Sequence, residues 1–137
     1  LPEAVFQHSN FTFSTPSEVV ANVAPVSKIH VPVPISWADE ERDLTAWLGN
    51  DLQDEAFGKL YELEEKVRKI DDAEIQRDWI YLQTSDHFYY MCTKFFSDGD
   101  IHAYFSPYDS PYDAFINYMN ALSDFMLRVR QKNTEKA

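Results

Sequence analysis

The chain has 137 residues, a formal net charge of −11 and a pI near 4.6. That length suits one domain, with or without a short arm, and 45% apolar residues is enough for a packed core. Such an acidic balance argues against nucleic acid, whose phosphates need Lys and Arg, and against an anionic membrane surface. No stretch reaches the ~20 apolar residues of a membrane span. The single cysteine, Cys92, lies in an apolar run; it excludes an internal disulfide and a Cys-based zinc site, and is expected to be a small buried residue. The chain opens on Leu-Pro-Glu without a Met, as an excised or processed piece would.

Residues 1–15 are expected to form an extended arm in which Phe11-Thr12-Phe13 alternates as a short strand does. Thr15-Pro16-Ser17-Glu18 then starts a helix: Thr15 can cap, Pro16 suits the first position and Glu18 completes a capping box. This helix stops before Pro25. Residues 26–36 carry Pro32 and Pro34, which remove two backbone donors. They suit an extended connector and not a central strand. The division expected is therefore an arm with one short helix and a Pro-rich connector over 1–36, and a helical bundle over 37–137.

Within the bundle, Ser36, Asp39 and Glu40 predict a short helix over 37–48, with Leu44, Trp47 and Leu48 on one side and Gly49-Asn50 as its end. Leu52, Ala56, Leu60, Leu63, Val67 and Ile70 repeat at helical spacing over 51–70, with outward pairs expected at Glu62–Lys66 and Glu65–Lys69. Asp71-Asp72 caps a helix over 73–95. Ser110 and Pro111 open a last helix over 111–132, striped by Tyr112, Phe115, Ile116, Met119, Leu122, Phe125, Met126 and Val129, with a polar tail that frays. The fold class is mainly α: three long and two short helices in a bundle, with an extended N-terminal arm. The connection 96–110, rich in Tyr, is long enough to be functional.

The chemistry concentrates between Trp79 and Tyr118, which hold thirteen of the 21 aromatic residues. Phe88-Tyr89-Tyr90 cannot all share one helix stripe, so a second covered surface is expected. Thr84-Ser85-Asp86-His87 is a polar knot inside this stretch. Consecutive Ser85, Asp86 and His87 diverge by about 100° per step on a helix and cannot form a nucleophilic relay. A dimetal site would need Glu-x-x-His on two helices, which is absent; no metal and no cofactor is expected. No two carboxylates are set to face one another across a cleft as glycoside hydrolysis requires. Aromatic faces with Asp and His beside them do suit sugar rings and their hydroxyls.

Three strings carry a resemblance: ISWADEERDLTAWLGN over 35–50, YLQTSDHFYYM over 81–91 and GDIHAYFSPYDSPYDAFINYMNALSDF over 99–125. Together they resemble the C-terminal helical region of α-amylase-type members of glycoside hydrolase family 57, from about Phe11 to Phe125. The resemblance implies a retaining enzyme acting on α-glucans such as starch or glycogen. Its nucleophile Glu and acid/base Asp sit on an incomplete TIM-like barrel, and this chain has none of the barrel motifs. By that resemblance the chain supports the barrel, lines the substrate cleft and has no catalytic pair of its own. Thr84-Ser85-Asp86-His87 falls where the family has its last signature, so Asp86 and His87 are expected on the substrate side, followed by Trp37 and Asp39. The resemblance favours a cytoplasmic setting. The partners implied are the barrel and an α-glucan, with the barrel-docking face covered by self-association when the chain is alone. The alternative is a free-standing non-catalytic module that binds glucan or a protein.

Overall fold

The computed structural model describes residues 2–38, 40–94 and 104–134. Its described residues contain helices and no strand, as a mainly α chain should. Two units are distinct, Leu1–Val33 and Pro34–Ala137.

The first unit departs from the expected extended arm. Pro2–His8 is a helix, α1, with Pro2 at its first position and Glu3 in its first turn. Phe11-Thr12-Phe13 forms no strand; Phe13 instead meets Phe6 edge-on, with ring centroids 5.2 Å apart. An isolated alternating triplet has no neighbouring strand to take its backbone hydrogen bonds, so a local ring contact wins. The second helix, α2 (Pro16–Asn22), starts as its capping box dictates. The Glu18 amide donates to Thr15 Oγ1 at 3.3 Å, and the Thr15 amide donates to Glu18 Oε2 at 2.8 Å. Residues 24–32 have no regular structure. None of the described residues of this unit is buried.

The second unit begins with another departure. The expected helix over 37–48 is not formed; residues 37–38 and 40–50 make bends and turns. Short polar side chains outcompete the helix here. Ser36 Oγ accepts from the Ala38 amide at 3.2 Å, and the Ser36 amide donates to the Arg42 carbonyl at 2.9 Å, closing a loop. Asp43 Oδ1 accepts from both the amide (2.8 Å) and the hydroxyl (2.6 Å) of Thr45, and these bonds hold its carboxyl below the usual range. Only a single turn follows, in which the Trp47 and Leu48 amides donate to Leu44. Asp39 lies outside the described residues.

Two expected long helices are each divided. Residues 51–70 become α3 (Asp51–Tyr61) and α4 (Glu64–Arg68). At the division the Leu63 amide donates to Leu60, three residues back, which tightens the turn. The tightening keeps Leu63, Val67 and Ile70 in the core with Ala56 and Leu60. It also changes the ion pairs. Those formed are Glu55–Lys59 and Glu64–Arg68, each inside one helix, in place of the expected Glu62–Lys66, which spans the break, and Glu65–Lys69. Residues 73–95 give α5 (Ala73–Leu82), capped by Asp72, and then α6 (Ser85–Tyr89). Thr84 between them is extended (φ −60°, ψ 126°). The last helix, α7 (Pro111–Thr134), opens on Ser110, whose Oγ accepts from the Asp113 amide at 3.1 Å; it continues beyond Lys132, through the polar residues expected to fray.

α7 packs against α3, α4 and α5. Its Leu122, Phe125 and Val129 are fully buried among Leu60, Val67, Ile75 and Trp79, and the Trp79 and Phe125 rings stack at 6.2 Å. Cys92 is buried as expected, beside a fully buried Met91. At the edge of this seam Arg128 Nη1 meets Asp78 Oδ2 at 2.8 Å, tying α7 to α5.

Gly49 is required by contact: a Cβ there would overlap the backbone carbonyl of Thr45. Rotation of a side chain cannot relieve a clash with backbone. Gly49→Ala is expected to cost about 1–3 kcal/mol of unfolding free energy, as overpacking does, and urea denaturation checks it. The Arg128 hydrogen bond lowers the Asp78 pKa. A carboxylate with a depressed folded pKa stabilises fully above its unfolded value, about 3.9, and loses that contribution as pH falls through the folded value. Asp78→Asn should therefore cost up to about 1 kcal/mol near neutrality. The gap to wild type should narrow below about pH 4. An equal gap at pH 7 and pH 3 would show that the pairing contributes nothing.

Candidate functional site

Two stretches far apart in sequence meet beside α6. Trp37 and Trp47 come from the turn segment after Pro34, and Ser85, Asp86, Tyr89 and Tyr90 come from α6 and its cap. With Phe105 they line a cleft of about 380 Å³. The spacing on α6 explains the shared face: Asp86, Tyr89 and Tyr90 stand at i, i+3 and i+4. Phe88 turns the other way, into the main core against Phe57 and Tyr118. The Phe88-Tyr89-Tyr90 run thus serves two surfaces, because Tyr89 is buried in a second small cluster with Ala38 and Ala46.

The rings of the cleft brace one another. Trp37 lies 6.0 Å from Trp47 (78° between planes) and 6.2 Å from Tyr89 (33°), and Trp47 lies 5.7 Å from Tyr89. Trp37 is nonetheless 68% exposed, so a large part of its ring is open to a ligand. Its loop is held from behind. The Arg42 guanidinium donates to the Trp37 carbonyl, and Arg42 itself has φ 54°, a left-handed conformation that costs a side-chain-bearing residue on the order of 1–2 kcal/mol. Lys94 fastens the same segment, with Nζ 2.6 Å from Thr45 Oγ1 and 3.1 Å from Glu41 Oε2.

The anchor beneath the cleft is Gln53, fully buried on α3. Its Nε2 donates to the carbonyls of Ala46 (2.8 Å) and Phe88 (2.9 Å), and its Oε1 accepts from the Gly49 amide (2.8 Å). Beside it Asn50 caps α3 through Oδ1 and donates from Nδ2 to the Met91 carbonyl at 2.9 Å.

Of the residues singled out by sequence, Trp37 and Asp86 share this cleft and His87 does not. One step further round α6, His87 has Nε2 3.1 Å from the Tyr81 carbonyl and its ring 5.3 Å from Tyr118. It borders a separate, smaller hollow of about 240 Å³ with Asp78, Tyr81, Asp124 and Arg128. The Tyr118 hydroxyl there donates to the Leu82 carbonyl at 3.0 Å, and burial pushes its pKa up.

Sequence reading missed Gln53, and took Trp47 for an element of a helix stripe. The signal for Gln53 was present: it stands three residues before Ala56 and seven before Leu60, on the buried face, where a polar residue needs partners. Among the described lining residues of the cleft Asp86 is the one carboxylate. The lining can stack on rings and accept or donate hydrogen bonds, and it lacks the facing carboxyl pair of a glycosidase. No group of three or more His, Cys, Asp or Glu side chains that could hold a metal occurs among the described residues, and no described helix is long and apolar enough to cross a membrane.

No protein-family profile matches the chain, and no solved structure matches it. One curated relative does. Over 96% of this chain the sequence is 38% identical to a protein of Methanocaldococcus jannaschii named "Putative alpha-amylase". The chain spans 30% of that relative's length, so it is similar to a minor part of an amylase-like protein.

Proposed function

We propose that this chain is the helical region of an α-glucan-active glycoside hydrolase of the α-amylase type, in family 57. In this reading it lines the substrate cleft and braces the catalytic barrel without carrying the catalytic carboxylates. The observation that carries the reading is the meeting of Trp37 and Asp86, from two of the three family-like strings, in one open aromatic cleft. A neutral sugar ring fits that chemistry: its apolar face lies on Trp37, and its hydroxyls reach Asp86 and Ser85. The similarity to part of an amylase-like relative supports the same reading. So does the single carboxylate of the lining, which favours contact over catalysis.

His87 acts in this reading as a brace for α6, through the Tyr81 carbonyl. The exposed apolar side chains of α5 and α7, among them Ile80, Tyr112, Ile116 and Leu127, are candidates for the face that the barrel covers.

The test is a titration of the chain with a linear maltooligosaccharide, followed by tryptophan fluorescence. Trp37→Ala and Asp86→Ala should each weaken binding about tenfold or more, a loss of about 1.4 kcal/mol. Unfolding free energy should stay within about 0.5 kcal/mol for Asp86→Ala, and fall by about 0.5–1.5 kcal/mol for Trp37→Ala, which loses its ring contacts. Absence of binding by the wild-type chain, or equal binding by both variants, would refute the glucan reading. Incubated with starch, the chain should release no reducing sugar; turnover abolished by Asp86→Ala would show that it is an enzyme in its own right.

A further inference from the structure

Gln53 is the one polar residue buried in full among the described residues, and its bonds run to both walls of the cleft. Ala46, seven residues away, precedes Trp47 on one wall. Phe88, thirty-five residues away, lies between Asp86 and Tyr89 on the other. The amide has two donors and a carbonyl acceptor, and the two donors and the oxygen are all engaged. The geometry is also demanding. α6 is only five residues long, and its last carbonyls are met by tight-turn bonds in place of a further helical turn. The Phe88 carbonyl accepts from the Met91 amide at 3.1 Å and from Gln53. The Ala46 carbonyl belongs to a single turn with no helix beyond it. An apolar residue of the same size would fill the space, and would leave both carbonyls and the Gly49 amide without this partner. A side chain that joins two otherwise independent backbone segments fixes their separation, whereas packing alone tolerates small slides.

We propose that Gln53 is a positioning residue: it sets the spacing between the Trp37–Trp47 wall and the Asp86–Tyr89 wall, and thereby the affinity of the cleft for a neutral oligosaccharide. This rests on the glucan reading for its ligand, and on the three hydrogen bonds for its geometry. Asn50 and Lys94 help from the sides, each at one wall or one edge. Gln53 reaches the backbone of both walls from below.

The experiment uses the whole chain labelled with 5-fluorotryptophan, whose three tryptophans give separate fluorine resonances. Three variants are compared with wild type at a temperature where each is folded. Gln53→Leu removes every polar contact. Gln53→Asn keeps the amide but draws it one methylene short of its three partners, and is the milder change. Val129→Ala loosens the α7 core away from the cleft and serves as the purely structural control. The expected result is that Gln53→Leu moves the Trp37 and Trp47 resonances, leaves that of Trp79 in place, and weakens maltooligosaccharide binding about tenfold or more. Gln53→Asn should fall between, and supplies the reading if Gln53→Leu does not fold. Val129→Ala should shift the Trp79 resonance, and its binding should stay within about twofold of wild type. Unchanged Trp37 and Trp47 resonances in a folded Gln53 variant overturn the proposal, and so does binding within about twofold of wild type. If the wild-type chain binds no maltooligosaccharide while the Gln53 variants still move the two resonances, the glucan reading fails and the positioning role stands.

Discussion

The apolar seam along α7 is the constraint on which the second unit depends. Leu122, Phe125 and Val129 are fully buried against Leu60, Val67 and Trp79. Each such side chain contributes on the order of 1.5–3 kcal/mol by leaving water. A helix of 24 residues with one continuous stripe gives the shorter helices a straight surface to settle on. Those helices then bend to fit it. The breaks after Tyr61 and after Leu82 are the places where backbone regularity yields so that the next apolar group can reach the seam.

The second of these breaks has a functional consequence. An uninterrupted helix through residues 73–95 would hold the phase of Asp86 and Tyr89 to that of Trp79 and Leu82. The extended Thr84 resets the phase. α6 can then place Phe88 in the main core while Asp86, Tyr89 and Tyr90 face the turn segment. It also turns His87 one step further round, so adjacent polar residues end on different surfaces. The cleft is therefore a product of a helix interruption, stabilised by a buried amide, and faced by a loop whose strain at Arg42 is offset by polar contacts.

The first unit follows another logic. It has two short helices and many exposed apolar side chains, including Phe11, Val20, Val26 and Ile29, and none of its described residues is buried. Local capping explains where α2 starts and stops, and local ring contact explains Phe6 and Phe13. Neither supplies a core.

By itself the sequence determined the helical class, the start of α2 at Thr15, the caps at Asp72 and Ser110, the burial of Cys92 and the stripe of α7. All of these rest on interactions within a few residues, or on a long uniform period, and such signals survive without knowledge of neighbours. It also brought Trp37 and Asp86 forward as candidates. Tertiary structure decided the rest. The helix expected over 37–48 gave way to turns because Ser36, Asp43 and Gln53 found backbone partners, one of them on another element. The divisions at Glu62–Leu63 and Gln83–Thr84 answer to the shape of the α7 seam, which no local window contains. The separation of Asp86 from His87, and the meeting of Asp86 with Trp37 in one cleft, follow from the phase of a five-residue helix. That phase is fixed by where Phe88 is buried and by what Gln53 can reach.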